Sequence, residues 1–125
     1  MSGQPEVDQV EEIKLTLPAL VDYARVARLA VTGLASRMGF SYDEIEDLRI
    51  AVGELCSVLL DGTGDRLVFR CTLGAGSLEV EASREPVGPA LAINELTRQI
   101  LLAVVDEADF DLDLARVRVT KRRQD

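Results

Sequence analysis

Ser41-Tyr42-Asp43-Glu44-Ile45-Glu46-Asp47-Leu48-Arg49-Ile50-Ala51-Val52-Gly53-Glu54-Leu55-Cys56-Ser57-Val58-Leu59-Leu60-Asp61-Gly62 is the stretch on which the reading of this chain turns. Its start is written in full: Ser41 and Glu44 stand at the spacing of a capping box, and Phe40 with Ile45 can form the hydrophobic staple around it. Ile45, Leu48, Val52, Leu55 and Leu59 then recur at helical spacing and predict one buried face. Asp61-Gly62-Thr63-Gly64 breaks the helix. A second stripe, Asp47, Ala51, Glu54 and Val58, runs along the same helix at about 100° per residue, away from the apolar one. A solvated helix edge accounts for that stripe, and so does one wall of a ligand site.

Working outward, Glu12 to Pro18 alternates, with Ile13, Leu15 and Leu17 on one side and Lys14 and Thr16 on the other, which predicts a strand with one buried face. Leu20, Ala24, Ala27, Val31, Leu34 and Met38 follow at helical spacing up to Gly39. Downstream, Leu67, Phe69, Cys71 and Leu73 alternate, as do Leu78, Val80 and Ala82, so a hairpin is expected. A loop at Gly74 to Ser77 sets Leu73 opposite Leu78 and Arg70 opposite Glu81, which keeps both apolar sets on one face. Arg70 and Glu81 would then form a surface ion pair of small energetic weight.

A third helix is expected from about Pro89 to Glu107, with Ile93, Leu96, Ile100 and Val104 spaced for burial. The block Ile100 to Val105 is apolar all round, which suggests cover on more than one side. Phe110, Leu112 and Leu114, then Val117 and Val119, suggest two closing strands with a turn or bulge between them. The Lys121-Arg122-Arg123 run reads as solvated. The expected organisation is a disordered leader at 1–10, one domain over 11–121 and a tail at 122–125. The class is α/β, a two-layer sandwich of about five strands in one sheet with three helices on one face.

Composition narrows the function. The 125 residues suit one domain, and with aromatics at 4% the core must be aliphatic. A net charge of −8 argues against a direct nucleic-acid binder, which needs a basic face. There is no histidine, the commonest general base and metal ligand. Cys56 and Cys71 read as small core residues of a reduced, cytoplasmic protein. The acidic first residues do not read as a signal peptide, and no apolar run reaches the roughly 18 residues of a membrane span.

The run Asp47 to Ser57 resembles the Glu-bearing helix of the RsbW/SpoIIAB-type anti-sigma factors, serine kinases on the Bergerat (GHKL, HATPase-like) ATP-binding fold. Leu15-Thr16-Leu17-Pro18-Ala19-Leu20 with Tyr23-Ala24-Arg25-Val26-Ala27-Arg28 is similar to that family's first strand and helix. Ile100 to Phe110 and Arg116 to Lys121 are similar to its last helix and strand. The resemblance implies Mg-ATP as cofactor, a catalytic Glu that activates the attacking hydroxyl, and an Asn four residues later that holds Mg²⁺. Glu54 matches the Glu. Val58 stands for the Asn and has no oxygen for a hard cation.

The family's adenine-reading Asp-x-Gly-x-Gly falls on Arg84-Glu85-Pro86-Val87-Gly88, where Arg84 is donor-only and Pro86 fixes φ. Its glycine-rich phosphate lid falls near Glu95-Leu96-Thr97, which has no glycine. Three lost contacts at roughly 1.5–3 kcal/mol each would weaken a micromolar site past millimolar. Glu54 is therefore expected as a remnant general base, and Arg84 and Gly88 as the remains of a nucleotide site, with neither metal nor cofactor held. The family also carries a partner-contacting Arg on its first helix, and that position is Arg28, with Arg25 one turn earlier.

The expected function is an anti-sigma-like transcription regulator that binds a sigma factor, a STAS-type anti-anti-sigma protein, or both. It is expected as a homodimer, without membrane or nucleic-acid contact and with kinase activity lost. An active Mg-ATP-dependent serine kinase with a rewired pocket, and a purely structural dimerisation module, are the alternatives.

Overall fold

A computed structural model of the chain describes residues 11–61 and 63–124, so the expected leader, and Gly62 within the helix-breaking run, lie outside the described residues. The elements in chain order are β1 (Glu11–Pro18), α1 (Ala24–Arg37), α2 (Tyr42–Leu59), β2 (Arg66–Leu73), β3 (Ser77–Glu85), α3 (Glu95–Val104), β4 (Glu107–Asp111) and β5 (Arg116–Arg122), with 3₁₀ turns at Val21–Tyr23 and Leu112–Leu114. The strands form one sheet in the order β1-β2-β3-β5-β4, antiparallel at every pairing. The chain leaves β3, passes through α3 to the β4 edge and returns as β5 into the middle of the sheet.

The helices cover one face of that sheet. Leu17, Leu67, Phe69, Cys71, Leu73, Leu78, Val80, Ala82, Val117 and Val119 join Ala27, Val31, Leu48, Val52, Leu55 and Leu59 in one buried cluster. Apolar residues at alternate strand positions and at helical spacing meet in a two-layer α/β sandwich. The hairpin register follows the parity argument, with Leu73 opposite Leu78 and Arg70 opposite Glu81. At the start of α2, the Ser41 hydroxyl accepts from the Glu44 amide at 3.2 Å, and Glu44 Oε1 accepts from the Ser41 amide at 2.7 Å, which completes the capping box.

Several expectations need correction. On β1 only the Leu17 end is buried, and Ile13 is exposed, because β1 is an edge strand with a single neighbour. Leu20 is exposed and precedes the 3₁₀ turn that leads into α1, so it is not part of that helix's buried stripe. Arg70 forms no ion pair with Glu81; Arg116 on neighbouring β5 reaches Glu81 instead, at 3.6 Å. The third helix is shorter than expected: Asn94 caps it by accepting from the Thr97 amide at 2.8 Å. Leu91 is buried in the preceding extended segment, where its amide donates to the Leu112 carbonyl.

From that start, Leu101 and then Val105 face inward, while Leu96 at 65% and Leu102 at 53% are exposed. The α3 apolar block is therefore covered on one side. Leu112 and Leu114 lie in the 3₁₀ turn, and Ala115 at φ 51° completes the reversal that shifts the parity. In the basic run at the end of β5, Arg122 and Arg123 are exposed and Lys121 is half-buried, and each of the three side chains has a partner. Lys121 pairs with Asp47, Arg122 with Glu107, and the Arg123 guanidinium donates to the Met38 carbonyl.

Candidate functional site

The stripe Asp47, Ala51, Glu54 and Val58 is not a solvated edge. Ala51 is fully buried, and Asp47 accepts from Lys121 Nζ at 2.9 Å. The same ammonium donates to the Val104 carbonyl at 2.9 Å and so ties α2 to the end of α3. Glu54 is half-buried, and among the described residues its carboxylate makes no hydrogen bond or ion pair. Val58 is half-buried and packs against the core cluster. Among the described residues no group of three or more His, Cys, Asp or Glu could hold a metal ion.

Arg84 is placed by strand parity. Leu78, Val80 and Ala82 point from β3 into the core, and Arg84 is the next residue on that side. It is fully buried, and its guanidinium is fully engaged. Nη1 pairs with Asp61; Nε donates to the Val87 carbonyl at 3.1 Å; Nη2 donates to Val87 at 2.5 Å and to the Pro89 carbonyl. Asp61 is itself held in a turn, accepting from the Thr63 amide at 3.0 Å and the Thr63 hydroxyl at 2.7 Å. Burial pushes the Asp61 carboxyl up, but the Thr63 bonds and the Arg84 guanidinium together outweigh it and hold the group below its ordinary range.

Two glycines make room for this arginine. Gly64 sits at φ +82° with Arg84 Cγ only 2.5 Å from where a Cβ would stand. Gly88 sits at φ +62°, and its Cβ position is 3.5 Å from Arg84 Nη2. The structure thus brings Arg84 and Gly88 together and adds Asp61, Thr63 and Gly64. Sequence reasoning took these three for a helix breaker alone. The signal was present: a donor-only side chain at the next inward position of an apolar strand requires a buried acceptor nearby.

Measured against Mg-ATP, these residues do not fit. Val58 offers a cation no oxygen, and Arg84 offers the adenine amino group no acceptor. The guanidinium is committed to a carboxylate and two backbone carbonyls.

Arg25 and Arg28 do come together on α1. Both line a cleft of 410 Å³ with Val21 and Asp22. Val21 is shared with an adjoining groove of 290 Å³ between α1 and α2, lined by Ala24, Gly53, Cys56, Ser57 and Leu60. Arg25 is exposed, Arg28 is half-buried, and among the described residues neither forms an ion pair. Cys56 is buried and free; burial pushes its thiol up to about 11, against the opposing charge of Arg28. Burial likewise raises Cys71 to about 11, so neither thiol is a ready nucleophile.

No protein-family model matches the chain. It is 38% identical over 97 residues to the serine-protein kinase RsbW of Halalkalibacterium halodurans, covering 66% of this chain and 60% of that protein. It is 32% identical over 96 residues to the serine-protein kinase RsbW of Bacillus cereus, covering 75% of this chain and again 60% of the relative. The chain therefore spans 60% of the length of these curated relatives. Its fold is similar to a crystal structure of the RsbU and RsbW domains of Rv1364c from Mycobacterium tuberculosis. The TM-score is 0.68 at 17% identity, covering 91% of this chain and 32% of that one.

Proposed function

We propose that this chain, similar to RsbW serine-protein kinases over part of their length and to an RsbW-containing structure in fold, is an anti-sigma-like transcription regulator that has lost ATP binding and kinase activity. In this reading it binds a sigma factor, a STAS-type anti-anti-sigma protein, or both, and works in the cytoplasm as a homodimer. The observation that carries the loss of nucleotide is Arg84. At the position where the resemblance sets an adenine-reading Asp, this chain buries a cation and saturates it with Asp61, Val87 and Pro89. A nucleotide entering there would have to displace a charged group from hydrogen bonds that are costly to leave unmade in a low dielectric. Val58, which offers Mg²⁺ no oxygen, weighs the same way.

Partner binding rests on Arg25 and Arg28, two cations without an ion pair among the described residues, which share one cleft. The test is size-exclusion chromatography of the purified chain, in nucleotide-free buffer, with the sigma factors and STAS proteins of the same genome. Co-elution with at least one is expected, and Arg28→Glu should weaken it by about tenfold or more. Co-elution with none overturns the reading. Binding unchanged by Arg28→Ala and Arg28→Glu would remove Arg28 from the contact, and self-association with no partner bound points instead to a structural dimerisation module.

One observation favours a second reading, an active kinase with a rewired pocket: the Glu54 carboxylate has no internal partner among the described residues. Phosphate transfer to a STAS protein, abolished by Glu54→Gln, would establish it.

A further inference from the structure

Gly53 stands in the middle of an 18-residue helix, and nothing lies within 4 Å of where its Cβ would be. Its φ is outside the left-handed range, so no backbone conformation demands glycine. A glycine in a helix interior destabilises it relative to alanine, and the fold does not call for one at this position. Gly53 lies in the groove between α1 and α2, beside Ala24 and Cys56, with Val21 and Leu60 as apolar walls. Val21 is 75% exposed, a large apolar side chain with no cover.

The groove's 290 Å³ is at the lower bound of ligand pockets, which run from about 300 to 1,000 Å³. That is room for one large side chain. Its neighbour across Val21 holds Arg25 and Arg28 against a single carboxylate, Asp22, so that cleft is net positive on a chain of charge −8.

We infer that the α1–α2 groove at Gly53 is an anchor site for a protein partner that presents one large apolar side chain beside a carboxylate, the side chain entering over Gly53 and the carboxylate meeting Arg28 and Arg25. The complementarity is of shape and of charge. The missing Cβ leaves depth for an apolar anchor, and the two arginines supply the counter-charge at its rim. Arg28 alone would accept any acidic surface; the groove adds a requirement for an adjacent apolar residue, and with it selectivity among acidic partners. The inference rests on the partner-binding reading above and specifies which surface of the partner is recognised.

The test fills the groove from its floor. Gly53→Phe meets no neighbour at its Cβ, and Gly53→Ala leaves most of the depth open. Affinity is measured by calorimetry, using as probe the sigma factor or STAS protein that co-elutes with the unmodified chain. Gly53→Phe is expected to weaken binding by about tenfold or more and Gly53→Ala by less than about twofold, with helical circular dichroism retained in both. Ser57→Trp, at the exposed lip of the same groove, makes the same test should Gly53→Phe lose its fold. A partner carboxylate→Lys exchange that rescues Arg28→Glu would fix the orientation. Full affinity in Gly53→Phe or Ser57→Trp while the unmodified chain binds overturns the groove and leaves the regulator reading standing. Absence of binding by the unmodified chain overturns both.

Discussion

Arg84 is a fully buried cation at the end of the inward, otherwise apolar side of β3. A buried guanidinium is tolerable only when charge and every donor direction are met, and here Asp61, Val87 and Pro89 meet them, with no buried side-chain polar atom left unpaired among the described residues. Removing one partner of a wholly buried ion pair costs about 3–5 kcal/mol. Asp61 is 36% exposed, and solvent at its rim reduces that loss. Asp61→Asn is therefore expected to destabilise the fold by roughly 2–3 kcal/mol, read as a lowered urea midpoint with an unchanged m-value. An unchanged midpoint would show that the pair contributes nothing. That Arg84 faces inward was legible from strand parity. Its partner was not, because Asp61 lies 23 residues earlier in a turn whose sequence explains itself as a helix stop.

At the scale of elements, α2 was the most legible, since its cap is local and its apolar spacing unambiguous. What escaped was the second use of Glu44. Its Oε2 accepts from the Gln124 amide at 2.6 Å, 80 residues away, so the α2 cap also holds the end of the chain. The Ser41 and Gln124 amides, in that order, pull the Glu44 carboxyl below its ordinary value of 4.5 against the opposing effect of burial. A carboxyl depressed in the folded state binds fewer protons there than in the unfolded chain, so stability rises with pH across that window. The contribution is complete above the unfolded value and is lost as pH falls through the folded one.

Glu44→Gln, which keeps one acceptor oxygen in place of two, is expected to cost about 1–2 kcal/mol at neutral pH. It should also flatten the decline of the melting temperature between about pH 5 and pH 3. A parallel decline in both proteins would contradict the assignment. α3 was less legible for a physical reason: the apolar residues from Leu91 to Val105 suit a long helix and a short helix with an extended approach equally well. The Asn94 cap decides between them.

Across the whole molecule, the two-layer sandwich, the hairpin register and the helices on one face followed from period and parity, because those patterns are set by burial alone. The strand order β1-β2-β3-β5-β4 did not, since no local pattern says that the last strand returns between β3 and β4. The candidate site was legible in its parts but not in its assembly. Glu54, Arg84, Gly88, Arg28 and Arg25 could be singled out from a resemblance, while the Asp61 partner and the groove at Gly53 exist only once distant segments are packed.

The proposed function has nucleotide binding lost where Arg84 pairs with Asp61 and partner binding carried by the α1–α2 face. Titration calorimetry of Mg-ATP into the nucleotide-free chain tests this most directly. The account predicts no saturable heat up to about 1 mM nucleotide, whereas saturable binding with a Kd below about 100 µM would contradict it.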